Sequence, residues 1–145
     1  MTWTPDIQLS GIQRLRELEA QTERTGMAGN LDYTIHSIGE GEVIYHYTPL
    51  DRHQNLIGSL HGGALATLLD TAMGAAVMSC LAAGEQHTMT DLTIKFIGAV
   101  RNPHERLIIE GRVDHAGKRL FSTQGVITTH EGRLIARGLG TACRL

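Results

Sequence analysis

Aromatic side chains make up only 4% of the 145 residues, so the core must be aliphatic. The two cysteines, Cys80 and Cys143, form no CxxC pair. They suit buried thiols in a reducing cytoplasm better than a disulfide or a zinc site. No apolar run approaches the roughly 20 residues of a membrane span. The longest near-apolar stretch, Ala72 to Ala83, is broken by Gly74 and Ser79. The opening MTWTPDIQLS has neither a basic leader nor an apolar core, so no signal peptide and a cytoplasmic location are expected. A formal charge of -2 argues against a dedicated nucleic-acid binder. GxSxG, P-loop and GxGxxG motifs are all missing. The eight histidines are dispersed from His36 to His130 without HxH or HExxH spacing, so neither metal nor cofactor is expected.

What remains is an ordinary globular composition, 41% hydrophobic and 19% charged, of a length that fits one domain over residues 1–145. Charge divides unevenly. Residues 1–90 carry four basic and ten acidic side chains, and residues 91–145 carry nine and five. That asymmetry fits solvated strand faces, or a surface that attracts a phosphorylated small ligand.

Residues 7–24 place Ile7, Ile12, Leu15 and Leu18 at helical spacing among charges, which predicts an amphipathic surface helix ended by Gly26. Alternation through Tyr33 and Ile35, then Val43, Tyr45 and Tyr47, predicts a hairpin turning at Gly39-Glu40-Gly41. Pro49 to Ser59 reads as a loop. His61 to Ala83 is rich in Ala, Leu and Met and apolar on nearly all faces, which predicts a core helix closed by Gly84. Four strands follow, over residues 88–100, 106–115, 118–130 and 133–143, with connections short enough to make them antiparallel neighbours. The expected fold is α+β, an antiparallel sheet of about six strands wrapped around one long helix. A sheet covers only part of such a helix, so a second copy of the chain is the simplest cover for the rest.

Two features stand out chemically. His61-Gly62-Gly63 opens the long helix, where N–H groups lack partners and the dipole is positive. The pair of glycines serves either an anion or oxyanion site or a tight junction between loop and helix. Asp70 lies mid-helix beside Leu68, Leu69, Ala72 and Met73. It is either a base or nucleophile with a shifted pKa, or a carboxylate satisfied by Thr67, Thr71 or a nearby strand.

The run Asn55–x5–His61-Gly62-Gly63–x6–Asp70, followed by DLTIKF over Asp91 to Phe96, resembles the hotdog-fold acyl-CoA thioesterases of the phenylacetate-pathway (PaaI-like) type. The resemblance spans about residues 30–143. It implies a hotdog fold, hydrolysis of an acyl-CoA thioester, and a homodimer or dimer of dimers. It also implies roles for single residues. Asp70 corresponds to the catalytic carboxylate, as nucleophile or as base on water. Gly62 corresponds to the backbone donor that polarises the thioester carbonyl, with Gly63 beside the substrate. Asn55 corresponds to a polar group next to the thioester, and His61 to the residue holding the loop and Asn55. The resemblance implies a hydroxyl at the start of the next strand. With Asp91 as anchor that position is Met89, flanked by Thr88 and Thr90, and Thr88 is the one assigned. IGAVRNP stands where the relatives carry Arg-Pro. Arg101, Lys118 and Arg119, in the basic half, are the expected coenzyme A phosphate contacts. Two other readings compete: an acyl-thioester hydratase or dehydratase of the same fold, and a non-catalytic acyl-CoA-binding module. His61 and Asp70 lie nine residues apart, about 180° round a helix, which disfavours a hydratase's His–Asp pair within one chain.

Overall fold

Ser10 begins the first helix. In the computed structural model, which describes residues 3–145, α1 runs over Gly11–Ala20. The Ser10 hydroxyl accepts from the Gln13 N–H at 3.3 Å, and the Gln13 carboxamide accepts from the Ser10 N–H at 2.9 Å. This capping box sets the start four residues later than the periodicity predicts. Gly26 corrects a second expectation. At φ 62° it opens a separate short helix, α2 (Gly26–Leu31), instead of ending the first.

The hairpin forms as predicted, with β1 (Thr34–Gly39) pairing antiparallel to β2 (Glu42–Tyr47). Gly41 supplies the left-handed turn residue at φ 78°. After a loop comes α3 (Gly62–Ser79), the long core helix. It stops four residues short of the predicted Ala83. The Cys80 N–H bonds back three residues to the Val77 carbonyl, and the Ser79 hydroxyl bonds the Ala76 carbonyl at 2.6 Å. Gly84, at φ 83°, belongs to the turn beyond.

The predicted strand 88–100 divides into β3 (His87–Met89) and β4 (Thr93–Phe96). Asp91 sits at the break, its carboxylate accepting from the Thr141 N–H at 2.8 Å. β5 (Leu107–Ala116), β6 (Leu120–Thr129) and β7 (Leu134–Arg144) then form a continuous antiparallel meander. The sheet has seven strands in the order β1-β2-β5-β6-β7-β3, with β4 also paired to β7. One expectation is therefore overturned. The strand region before β5 lies across the sheet on β7, not beside β5, because residues 97–106 carry the chain over the end of the sheet.

The sheet curls around α3, which packs chiefly on β5 with β2 and β6 to either side and α1 on another flank. Leu65, Leu68, Leu69, Ala72 and Met73 are buried against it. Each large side chain among them contributes about 1.5–3 kcal/mol by leaving water. A row of paired glycines makes the fit possible: Gly111 faces Gly125, and Gly125 faces Gly138. A Cβ at Gly111 would stand 2.1 Å from the Ala72 carbonyl oxygen. The missing side chains on three strands let the helix backbone sit almost on the sheet. Cys80 and Cys143 are both free and half-buried, less enclosed than expected. No helix among the described residues is long and apolar enough to cross a membrane.

Candidate active site

The start of α3 is built by the loop before it. Asn55 spends its side chain on that loop. Its carbonyl oxygen accepts from the N–H groups of Ile57 and Ser59, both at 3.0 Å, and its amide donates to the Ser59 hydroxyl at 2.9 Å. The turn so fixed holds Leu56 and Ile57 out in solvent. The His61 N–H donates to the His53 carbonyl at 2.8 Å. The buried His53 ring is itself held between the Tyr47 hydroxyl at 2.9 Å and the Asn30 carboxamide oxygen at 2.8 Å.

His61 is the N-cap of α3, its ring Nδ1 accepting from the Gly63 N–H at 2.8 Å. It therefore holds the helix start and makes no bond to Asn55. Gly63 is thus partnered, whereas the Gly62 N–H has no acceptor among the described hydrogen bonds. No acidic side chain occupies the first turn, so the positive end of an 18-residue dipole is left uncompensated. The Phe96 ring lies over Gly62, where a Cβ would come within 3.1 Å of it. Any other residue would push that ring aside.

Asp70 stands two turns further along. Its carboxylate makes no hydrogen bond or ion pair among those described, and partial burial pushes its pKa above the ordinary carboxylate value. It opens onto a cavity of about 570 Å³, bounded by Trp3, α1 and the segment from it into α2, β1, Tyr45 of β2, β3 and one face of α3. Thr88 lines the same cavity, while the Thr90 hydroxyl is turned away to donate to the Thr141 carbonyl at 3.1 Å. Glu19, Glu23, Arg24, Tyr33, Tyr45 and His87 line the same cavity. Burial raises the Tyr33 pKa and lowers that of His87, keeping both neutral near pH 7.

Asp70 and Thr88 are therefore together, but Gly62, Gly63, Asn55 and His61 lie elsewhere in the same chain. His61 and Gly63 border a second, smaller hollow with Arg52 and His53. Gly62 and Asp70 are eight residues apart on a continuous helix, about 12 Å along its axis at 1.5 Å per residue. The three basic residues are also divided. Arg101 donates to the Ile57 carbonyl at 3.3 Å, beside the Asn55 loop. Lys118 and Arg119 occupy the β5–β6 turn, at the far end of the ten-residue β5. That is roughly 30 Å along the strand at about 3.3 Å per residue, too far for one phosphate group.

A sequence model of the Thioesterase superfamily matches residues 57–136, more than half of the chain. The chain belongs to that superfamily. A human relative, acyl-coenzyme A thioesterase 13, is 32% identical over 135 residues, covering 91% of this chain and 95% of its own length. The PaaI protein of the E. coli phenylacetic acid degradation operon superposes with a TM-score of 0.81 at 25% identity, covering 94% of each chain. A hypothetical thioesterase from Streptococcus pneumoniae, solved with coenzyme A, gives 0.72 at 26% identity, covering 78% of this chain and 85% of its own. The hotdog architecture implied by the resemblance is thus the one found.

Sequence reasoning missed Phe96 as the cover over Gly62, and it missed the shape of the cavity. The signal for the cavity was present. Asp70, Gly74 and Met78 recur at four-residue spacing, with Thr71 and Ala75 beside them, so one stripe of α3 lines it.

Proposed function

We propose that this thioesterase hydrolyses an acyl-CoA thioester, and that each active site is shared between two copies of the chain. The observation that carries this reading is the unpartnered Gly62 N–H at the start of α3, with an unpaired, partly desolvated Asp70 carboxylate about 12 Å down the same helix. Both groups suit acyl transfer, yet a carbonyl needs its oxyanion donor and its attacking group within about 3–3.5 Å. Two antiparallel α3 helices across a two-fold axis bring Gly62 of one protomer beside Asp70 of its partner.

In this site the thioester oxygen faces the Gly62 N–H, which stabilises the charge that develops on it. Asp70 either takes the proton of a water that adds to the carbonyl carbon, or bonds to that carbon itself before water releases the acid. The carbon–sulfur bond breaks and the sulfur leaves as the thiol. Thr88 lies on the Asp70 side and positions the water or the leaving group. Asn55 and His61 act as positioning residues, through the loop and the helix cap that aim the Gly62 N–H. A metal is not required, because a thioester is already activated toward acyl transfer. The hydratase reading is disfavoured by His61, whose Nδ1 is occupied by the Gly63 N–H and which lies across the helix from Asp70.

The test is release of free thiol from a panel of acyl-CoAs. The wild type should release thiol, and Asp70→Asn should lower kcat by roughly 10²–10⁴ with little change in KM. A binding module would release none, and a hydratase would change the acyl group with the thioester intact. Near-normal kcat in Asp70→Asn would remove the carboxylate from the mechanism.

A further inference from the structure

The loop that leads into α3 carries a rigid apolar tip. A bridge between Gln54 and Leu60 closes it, and the Asn55 N–H donates to the Ser59 carbonyl at 2.8 Å inside that bridge. Asn55 adds its three side-chain bonds, Gly58 supplies a left-handed residue at φ 77°, and Arg101 donates to the Ile57 carbonyl. On this turn Leu56 is fully exposed and Ile57 is 72% exposed. Single exposed leucines are ordinary, but here two adjacent large side chains are held out by a fixed backbone. Phe96, whose ring lies over Gly62, is exposed as well. A group of apolar side chains like this marks a surface that another molecule covers.

The Asp70 cavity shows the complementary need. Ligand sites enclose most of what they bind, yet within one chain Asp70 remains exposed. The lining is mixed, with Tyr33, Tyr45 and charged groups as well as Leu18, Ile35 and Met78. One stripe of α3 joins the two places. Gly63, Thr67, Asp70, Gly74 and Met78 are not fully buried and recur at spacings of three and four. The first half of this stripe borders the hollow at the helix start, and the second half lines the cavity. In the proposed dimer the helices are antiparallel, with Gly62 of one protomer beside Asp70 of its partner. Each residue back from Gly62 then runs alongside a residue onward from Asp70 in the other chain. Five back is Ile57, and five onward is Ala75, which lines the cavity. The turn therefore leads along the cavity of the partner, not over its own.

We infer that the Asn55–Ser59 turn of each protomer closes the Asp70 cavity of its partner, with Leu56 and Ile57 forming an apolar wall against the acyl group. This rests on the thioesterase reading and the shared site above. It adds a contact in trans that selects for acyl groups with an aliphatic chain long enough to reach beyond Asp70.

The experiment uses mixed dimers of differently tagged chains in which one chain carries Asp70→Asn. In a shared site the single live centre combines the turn of the Asp70→Asn chain with the intact Asp70 of the other. The pair Leu56→Ala and Ile57→Ala is placed either in the Asp70→Asn chain or in the intact chain. Both side chains are exposed in the single chain, so the substituted chain should fold. The readout is kcat/KM for thiol release from decanoyl-CoA divided by that from butanoyl-CoA, whose shorter chain ends nearer Asp70. A single missing methylene in an apolar pocket discriminates by about tenfold or more. The ratio should therefore fall at least about tenfold when the substitutions sit in the Asp70→Asn chain, and stay at the wild-type value when they sit in the intact chain. If the doubly substituted chain does not pair, Leu56→Ala and Ile57→Ala are compared singly in the same two placements. An unchanged ratio in both placements overturns the wall and leaves the thioesterase reading standing. A fall only when the substitutions share a chain with the live Asp70, or an equal fall in both placements, overturns the contact in trans. No thiol release from either substrate by the wild type overturns the thioesterase reading itself.

Discussion

Gly62→Pro should silence the enzyme without unfolding it. Proline lacks an N–H, so the substitution deletes the proposed oxyanion donor outright. The backbone is already suited to it. Gly62 is the first residue of α3, where proline is favoured because that N–H bonds nothing within the helix. His61, the preceding residue, sits at φ -66° and ψ 137°, in the extended region that a following proline demands. The one steric cost is the Phe96 ring, 3.1 Å from a Cβ at this position, and that ring is exposed and free to turn. Losing one such donor lowers kcat by about 10²–10³, or about 2.7–4 kcal/mol of transition-state stabilisation. The melting temperature should stay close to wild type. A shared site then makes a second, quantitative demand. Gly62→Pro and Asp70→Asn are each nearly inactive alone. Refolded together in equal amounts with random pairing, about half the dimers are mixed, and each has one site free of both defects. Activity should return to about a quarter of wild type, at least tenfold above either variant alone. Thiol release before and after mixing measures it, with mixed dimers verified by differently tagged chains. A folded Gly62→Pro with normal kcat would refute the donor assignment. No recovery in verified mixed dimers would refute the shared site.

Asp70 also links activity, pH and stability. Its folded pKa is raised by burial, so activity that needs the carboxylate should fall on the acid side at a pH above that of an unperturbed aspartate, read from a kcat/KM profile. A raised acidic pKa means that ionisation costs stability above the folded pKa, and the cost vanishes below the unfolded one. Asp70→Asn should therefore melt higher than wild type at neutral pH, and the difference should shrink toward zero near pH 3. Gly111→Ala should be severe, because its Cβ meets the Ala72 carbonyl at 2.1 Å and the helix must move off the sheet. A loss of about 3 kcal/mol or more is expected, lowering the melting temperature by roughly 10 °C.

The amino-acid sequence by itself determined the local elements. Apolar character on nearly all faces from His61 to Ala83 specified a buried helix, alternation specified the hairpin and β5, and His61-Gly62-Gly63 and Asp70 stood out within that helix as candidate site residues. These signals are legible because they lie within one or two turns or one strand, where side-chain direction follows from position alone. The Ser10–Gln13 capping box was equally local, and hydrophobic spacing alone ran past it. Tertiary structure decided the rest. β4 finds its partner in β7, some forty residues away, and nothing in the segment 88–100 names that partner. Gly111, Gly125 and Gly138 sit on three separate strands, and only the sheet register aligns them under α3. The cavity is likewise made by residues from α1, α2, α3, β1, β2 and β3 together, so it exists only once the chain has folded. The separation of Gly62 from Asp70 belongs to both levels. Eight residues in sequence become about 12 Å only because α3 is continuous between them, and that rigidity is the physical reason for invoking a second copy.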